Sequence, residues 1–164
     1  LGAENQGWTV AKTLLGDERL MVSRVAENKR ILARVRRLLK DIGLEDPALA
    51  AKAAQIEIRL TALEATALRL LSTFDGGGKV GAEPSMLKLQ GSQLVQVQDQ
   101  LLFEIAGLYG LPLDAESRQT PNLPIYHDTV DMIGSALFHH RGYTIAGGAS
   151  EVQRNIIAQQ VLGL

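Results

Sequence analysis

The sequence has no cysteine, few aromatic residues and no long apolar run, and each absence narrows the class of protein. Without cysteine there is neither a disulfide framework nor a thiolate metal site, which fits a reducing compartment, so we expect a cytoplasmic protein. No run of about twenty apolar residues and no signal-peptide pattern is present, which argues against a membrane span and against export. A net charge of −1 argues against a nucleic-acid partner.

The chain does contain enough apolar material for one domain with a core. Of its 164 residues, 46% are hydrophobic and 21% are charged, which is typical of a globular domain. Only five prolines interrupt it, and alanine, leucine, glutamine and arginine are abundant, so the composition favours helices. The chain begins at Leu1, and its methionines are Met21, Met86 and Met132, so we expect it to be part of a longer protein.

The first two long helices are predicted from apolar residues that recur at four-three spacing. One is predicted over residues 17–42, where Asn28 alone breaks the apolar seam. The other is predicted over residues 46–74, because Asp46 at the cap and Pro47 at the first helical position form a strong start signal.

A third long helix is predicted to start at Pro84. Its apolar seam consists of Leu87, Leu94, Leu101, Ile105 and Leu108. Gly91 and Gln98 fall on the same seam. We therefore expect a neighbouring helix to come close at the glycine and to meet the amide at the glutamine.

Shorter helices complete the predicted fold. The irregular residues 110–124 lead to a fourth helix over residues 126–142, and a terminal helix starts near Glu151. The inward side chains of the fourth helix are predicted to be Val130, Ile133, Leu137 and Phe138. Short links between the long helices favour an all-α, up-and-down four-helix bundle with an additional short terminal helix, in one domain over residues 1–164.

The turn before the terminal helix is a candidate ligand contact. Gly147 and Gly148 let the backbone turn tightly, Ala149 and Ser150 are placed to cap the terminal helix, and Glu151 lies in the first helical turn. The first N–H groups of a helix lack partners within it, so they can bind an anion or a carbonyl oxygen. An ordinary turn before the last helix of a bundle has the same pattern, and spacing alone leaves both interpretations open.

The histidines do not form a metal-binding pattern. His139 and His140 are adjacent, so on a helix they diverge by about 100°. A ferritin-like di-iron centre requires Glu-x-x-His motifs, and the sequence has none. No metal site is therefore expected.

The end of the chain resembles a family signature. Residues 148–158, GASEVQRNIIA, followed by residues 161–164, VLGL, look very like the C-terminal signature of the acyl-CoA dehydrogenases, the flavoenzymes that desaturate acyl-CoA thioesters. The run is long and contiguous, which makes the resemblance specific. It implies that this chain is the C-terminal helical domain of an FAD-dependent enzyme whose N-terminal helical domain and middle β-domain lie outside it.

The resemblance also implies a catalytic base. In family members a glutamate takes the α-proton of the thioester, either from just before the Gly-[Thr/Ala]-Ser element or from the first long helix. The first place is Gly147 here, whereas the second aligns with Glu18 in the segment LLGDER. Glu18 is thus the candidate base, and Arg19 aligns with a family arginine near the bound CoA. The Gly147 N–H aligns with a donor to the thioester carbonyl. On residue type alone, Asp17 and Glu18 are also acids that complement a helix dipole.

By the same resemblance, four residues touch the adenosine part of FAD: Gly148, Ala149, Ser150 and Glu151. A threonine often donates a hydrogen bond at the position of Ala149, so one hydroxyl contact is lost here. Two further family elements are replaced. Residues 36–43 stand where an Arg-x-x-Phe-Gly element is expected, and residues 119–124 stand where a Gln-x-x-Gly-Gly element is expected.

These departures resemble a divergent bacterial branch that handles steroid-derived, aromatic or dicarboxylic acyl-CoA substrates, often with two unlike subunits. The implied partners are an acyl-CoA, a second copy or an unlike subunit, and an electron acceptor. We expect this chain alone neither to bind FAD tightly nor to turn over substrate. The alternatives are a non-catalytic helical oligomerisation domain, a flavin-less subunit of a heteromeric enzyme, or a relative of the acyl-CoA oxidases.

Overall fold

The computed structural model describes residues 2–11, 23–42, 45–77, 81–111, 130 and 132–164, and the regular structure in these residues is helical. This confirms the predicted all-α class. The α-helices are α1 (Val25–Asp41), α2 (Pro47–Asp75), α3 (Glu83–Ala106), α4 (Ile133–His139) and α5 (Ser150–Ile157). Short 3-10 turns follow α3 at Gly107–Gly110 and α4 at His140–Thr144, and a π-helical turn, Ala158–Leu162, extends α5.

The three long helices run alternately up and down. Ion pairs between α1 and α2 show the antiparallel arrangement, because the residue paired on α2 lies earlier in the chain as the residue on α1 lies later, and a further pair joins an early residue of α2 to a late residue of α3. These pairs are Lys29–Glu64 and Arg36–Glu57 between α1 and α2, and Lys52–Glu104 at 2.5 Å between α2 and α3. All three are solvent-exposed, so they report the helix arrangement more than they stabilise it.

The core lies along the facing seams of α1, α2 and α3. Its buried apolar members on these three helices are Leu32, Val35, Leu38, Leu49, Ala53, Ile56, Leu60, Leu63, Leu70, Leu87, Leu94, Leu101, Leu102, Ile105 and Ala106. The four-three spacing therefore predicted the buried faces of the long helices. The predicted cap is also confirmed, because the Ala48 N–H donates to Asp46 Oδ1 at 2.7 Å and α2 begins at Pro47.

The predicted start of the first helix is wrong. Arg24 adopts a left-handed conformation with φ 53°, so α1 begins at Val25 and does not continue unbroken from residue 17. A left-handed residue cannot lie inside a right-handed helix, and arginine gives no sequence signal for one. Residues 12–22 lie outside the described part of the chain.

The fourth helix is shorter than predicted. Met132 is left-handed with φ 61°, and the helix spans Ile133–His139. Val130 and Ile133 are buried as expected, but Phe138 is 64% exposed. Side chains five positions apart on a helix point about 140° apart, so Phe138 lies nearly opposite Ile133. Leu108 is also exposed, because α3 ends at Ala106 and the seam ends with it.

The predicted close approach at Gly91 and the amide contact at Gln98 are both present. A methyl group on Gly91 would overlap the backbone carbonyl of Ser23. The buried Asn28 amide donates to the Arg24 carbonyl at 2.9 Å and to the Gly91 carbonyl at 3.2 Å, and Gln98 Nε2 donates to Asn28 Oδ1 at 2.6 Å. Asn28 interrupts the apolar pattern because it binds α3 at the crossing of the two helices.

Replacing Gly91 by alanine should therefore destabilise the bundle. The added methyl meets backbone, which cannot rotate away, so we expect a loss of about 1–3 kcal/mol of unfolding free energy in urea melts. Gly142→Ala adds the same methyl into open space and should change that free energy by less than about 0.5 kcal/mol. Equal stability of the two variants would show that the backbone at Ser23, just before α1, does not contact α3 at residue 91.

Candidate functional site

The two glycines before α5 form a turn whose backbone conformation glycine adopts easily and other residues rarely do. Gly147 and Gly148 both have positive φ, 70° and 99°, and Ala149 follows in an extended conformation as the N-cap. The predicted capping position is confirmed at Ala149, although no side chain makes a capping hydrogen bond to this helix. Ser150 is instead its first residue, and its Oγ donates to the Thr144 carbonyl at 3.4 Å.

Two buried side chains bind the carbonyl groups of this turn. Lys88, from α3, donates from Nζ to the Gly148 carbonyl at 2.6 Å. Gln153, from the first turns of α5, donates from Nε2 to the Gly147 carbonyl at 3.1 Å and to the Gly148 carbonyl at 3.4 Å. Both side chains belong to residues that are 0% exposed. The turn is therefore held from within the bundle and not by contacts along its surface.

The N–H groups of the same turn point to no backbone partner among the described residues. No backbone carbonyl in that part of the chain accepts a hydrogen bond from the N–H groups of residues 147–149. Lys88 also places a positive charge against the Gly148 carbonyl of this turn. Burial lowers the pKa of its ammonium group, the Arg24 charge lowers it further, and the Glu151 carboxylate opposes both effects. Free N–H groups at a helix N-terminus and a nearby cation favour an anionic or carbonyl ligand.

A cluster of ionisable side chains anchors the preceding 3-10 turn to the bundle. His140 Nδ1 lies 2.7 Å from Asp99 Oδ2, and His140 Nε2 lies 3.8 Å from Glu27 Oε1. The Tyr143 hydroxyl donates to Glu27 at 3.3 Å, and the Arg24 guanidinium lies 3.4 Å from the centre of the Tyr143 ring. These contacts join α1, α3 and the turn, so they fix the direction in which the chain enters Gly147.

The predicted site residues fall into three groups. Glu18 and Arg19 lie outside the described residues, so their position relative to Gly147 stays a prediction. Gly147 and Glu151 are exposed, and the Glu151 carboxylate lies 3.8 Å from Arg154 on its own helix. Gly148 and Ala149 are half-buried, while Ser150 is buried.

Sequence reasoning missed the side chains that support the site. A signal for them existed, because a second four-three seam runs along α3 beside the apolar one. It consists of Lys88, Ser92, Val95, Asp99, Leu102 and Ala106, all of which are buried. Half of its members are polar, so a search for apolar periodicity does not find it.

Two clefts lie elsewhere on the bundle, between α2 and α3. The larger has a volume of about 290 Å³ and lies beside Lys52, Arg59 and Glu104. The smaller, about 170 Å³, lies beside Arg59 and Met86. Neither contains a residue of the glycine turn. In the described portion of the chain, no three histidine, aspartate or glutamate side chains are grouped so that they could hold a metal ion. No helix there is long and apolar enough to cross a membrane.

Replacing Gly148 by alanine should disrupt the turn. The new methyl would overlap Nε2 of the buried Gln153, which could move aside only by giving up its hydrogen bonds to the turn, and it would also strain a residue at φ 99°. Gly77→Ala is a matched control, because its φ is 71° and nothing lies within 4 Å of the added methyl. We expect thermal or urea unfolding to show a loss about 1–3 kcal/mol larger for Gly148→Ala than for the control. Equal losses would mean that Gln153 does not fill this space.

The buried carboxylate of Asp99 should make stability depend on pH. Burial raises its pKa above the usual 3.8, while the hydrogen bond and charge of His140 act in the opposite direction. The folded state then holds the proton more tightly than the unfolded state does. The Asp99 contribution to stability is therefore greatest below pH 3.8 and declines as pH rises through the folded pKa.

The difference in unfolding free energy, Asp99→Asn minus wild type, should accordingly increase as pH rises. Glu57→Gln provides a contrast of opposite sign, because the hydrogen bond and charge of Arg36 lower the pKa of Glu57 below 4.5. Its difference from wild type should decrease as pH rises toward that value. Urea titrations at several pH values measure both free-energy differences. If the Asp99→Asn difference stays constant or falls as pH rises, burial does not raise the pKa of Asp99.

Comparison with known proteins identifies the family. Residues 5–162 match the family model for the acyl-CoA dehydrogenase C-terminal domain. The acyl-CoA dehydrogenase FadE34 of Mycobacterium tuberculosis (strain ATCC 25618 / H37Rv) is 26% identical over 167 residues, which cover 100% of this chain and 20% of that protein. The chain therefore spans one fifth of the length of this curated relative.

Solved structures share this fold. The Tcur3481-Tcur3483 steroid ACAD superposes with a TM-score of 0.80 at 22% identity, over 99% of this chain and 41% of that one. The ChsE4-ChsE5 complex from Mycobacterium tuberculosis superposes with a TM-score of 0.74 at 24% identity, over 99% of this chain and 42% of that one. At these identities the likeness shows the fold. The match over residues 5–162 shows that this chain belongs to the acyl-CoA dehydrogenase family, as its C-terminal domain.

Proposed function

We propose that this chain is the C-terminal domain of an FAD-dependent enzyme that introduces a double bond between the α- and β-carbons of an acyl-CoA thioester. The observation that carries the proposal is the glycine turn before α5. It lies in the segment that resembles the family signature, its N–H groups have no backbone partner in the described residues, and the buried Lys88 binds one of its carbonyl groups. Such a turn suits a phosphate or carbonyl oxygen, both of which this reaction brings to the protein.

The residues of the turn fit the adenosine and phosphate part of FAD. A side chain at Gly148 would collide with Gln153, so the backbone is left bare where a ligand approaches. Ala149 has no hydroxyl, and its contribution would come from its N–H. Ser150 and Glu151 continue the contact into the first turn of α5, whose N-terminal end favours negative charge. When bound, FAD supplies the acceptor for the hydride that leaves the β-carbon.

Glu18 is the proposed base for the α-proton. A carboxylate can take this proton only when it is ionised and close to the α-carbon, and burial beside apolar groups would raise its pKa toward working pH. Because Gly147 has no side chain, it leaves room for a carboxylate from another segment. The Gly147 N–H would donate to the thioester oxygen, where negative charge develops as the proton leaves. Arg19 would bind the CoA part of the substrate.

The partners follow from the family and from the surface of α5. The proposed substrate is an acyl-CoA, with a steroid-derived acyl group as one candidate, since the neighbouring structures include a steroid ACAD. The chain is proposed to work with a second copy or with an unlike subunit and to pass electrons to an external acceptor. Support comes from the name of the ChsE4-ChsE5 complex and from apolar side chains that α5 and its extension leave exposed, Val152, Val161 and Leu162.

That exposed apolar surface also favours the second candidate, a flavin-less or non-catalytic subunit that contributes mainly to assembly. The two candidates differ in what Glu18 does. An assembly subunit needs its helical surfaces but no base, whereas the enzyme needs the carboxylate and keeps its assembly without it.

Replacing Glu18 by glutamine in the complete enzyme, with its other domains and any partner subunit, tests the choice. Loss of a general base should lower kcat by about 10²- to 10⁴-fold, while FAD content and oligomeric mass stay unchanged. The exposed Glu45→Gln is the control and should retain full kcat. Acyl-CoA-dependent reduction of an artificial electron acceptor measures the rate. Undiminished turnover in Glu18→Gln would remove Glu18 as the base and favour the assembly role.

A further inference from the structure

Lys88 is a buried charged group whose role the proposed reaction leaves unassigned. The residue is 0% exposed, yet it carries an ammonium group at the end of a long flexible side chain. Taking such a group out of water is unfavourable unless strong hydrogen bonds compensate. In the described chain, the one hydrogen-bond partner of its Nζ is the Gly148 carbonyl, at 2.6 Å. That distance is typical of a strong, charge-assisted hydrogen bond.

Because the peptide group is planar, the Lys88 contact also fixes the orientation of the glycine turn. A trans peptide is planar, and its C=O and N–H bonds point in opposite directions. The described residues contain no cis peptide bond. Since Lys88 draws the Gly148 carbonyl inward, the Ala149 N–H of the same peptide must point away from Lys88. Gln153 holds the Gly147 carbonyl in the same way, so the Gly148 N–H points away from Gln153.

The same contacts also strengthen the two donors. A cation on a carbonyl oxygen polarises the peptide and increases the positive charge on its N–H hydrogen. The Ala149 N–H receives this effect from the Lys88 ammonium, and the Gly148 N–H receives a weaker one from the neutral amide of Gln153. Two successive N–H groups are thus both oriented and polarised by buried side chains from α3 and α5.

We propose that Lys88, assisted by Gln153, is a positioning residue that presents the Gly148 and Ala149 N–H groups to an oxygen of the flavin nucleotide. Lys88 touches neither substrate nor cofactor and acts through the peptide bond between residues 148 and 149. The identity of the ligand rests on the proposed function, whereas the positioning of the turn rests on the contacts of Lys88 and Gln153 alone. The two parts are therefore tested separately.

The first experiment follows the Gly148 carbonyl carbon by ¹³C NMR in the protein without ligand. In the wild type this resonance should shift with pH as Lys88 loses its proton, with a midpoint below the usual lysine value of 10.5. Lys88→Met retains the apolar stem and removes the charge, so the shift with pH should vanish. Lys88→Arg should restore a hydrogen-bonded carbonyl position at neutral pH. The exposed Lys52→Met is the control and should leave the Gly148 resonance and its titration unchanged.

The positioning role would be overturned if the Gly148 resonance does not shift with pH in the wild type and is the same in Lys88→Met. If Lys88→Met does not fold, the wild-type titration and the Lys88→Arg spectrum still show whether Lys88 holds the Gly148 carbonyl. Absence of a titration in the wild type contradicts the contact without any variant.

The second experiment measures the FAD dissociation constant of the complete enzyme by flavin fluorescence. Lys88→Met should raise it about tenfold, the effect of losing one charge-assisted contact, and Lys88→Arg should recover most of this loss. The KM for acyl-CoA at saturating FAD should change little. An unchanged dissociation constant would overturn the link between Lys88 and the cofactor. A wild-type enzyme that binds no FAD would overturn the proposed function and the cofactor link, while the carbonyl titration would still decide the positioning role.

Discussion

The structure depends on the burial of two sides of α3, one apolar and one partly polar. One side carries the apolar seam that packs against α1 and α2, and the other carries Lys88, Ser92 and Asp99. Polar groups that leave water must find partners, because an unpaired buried donor or charge is strongly destabilising. The partner of Lys88 is the glycine turn, and the partner of Asp99 is His140. The position of the segment before α5 is therefore set by the hydrogen bonds of the buried α3 side chains as much as by its own sequence.

The long helices could be predicted because apolar periodicity reports burial directly. The start of α2 was confirmed at Pro47, and the contacts of Gly91 and Gln98 agree with their predicted roles. The helix starts at Val25 and Ile133 could not be predicted in this way. Each follows a left-handed residue, arginine or methionine, whose conformation is imposed by tertiary contacts and not by intrinsic preference.

The candidate site was predictable only on its ligand-facing side. Glycines before a helix and a family-like signature indicated residues 147–151, and the structure shows a glycine turn there. The supporting residues could not be found in the same way because Lys88 and Asp99 are charged, and charged side chains are normally assigned to the solvent-exposed face of a helix. Only the spatial arrangement shows that α3 is enclosed by α1, α2, α4 and α5. Glu18 stays a prediction from the resemblance alone, since it lies outside the described residues.

The hydrogen bond from Lys88 to the glycine turn joins segments that are far apart in the chain. Sixty positions separate Lys88 from Gly148, so the turn has little reason to hold its shape until α3 and α5 have docked. An isolated peptide covering the turn and α5 would lack the lysine, and glycine pairs sample many conformations when nothing holds them. The ligand-facing backbone should thus be among the last parts of the domain to become ordered during folding and among the first to loosen when helix docking weakens.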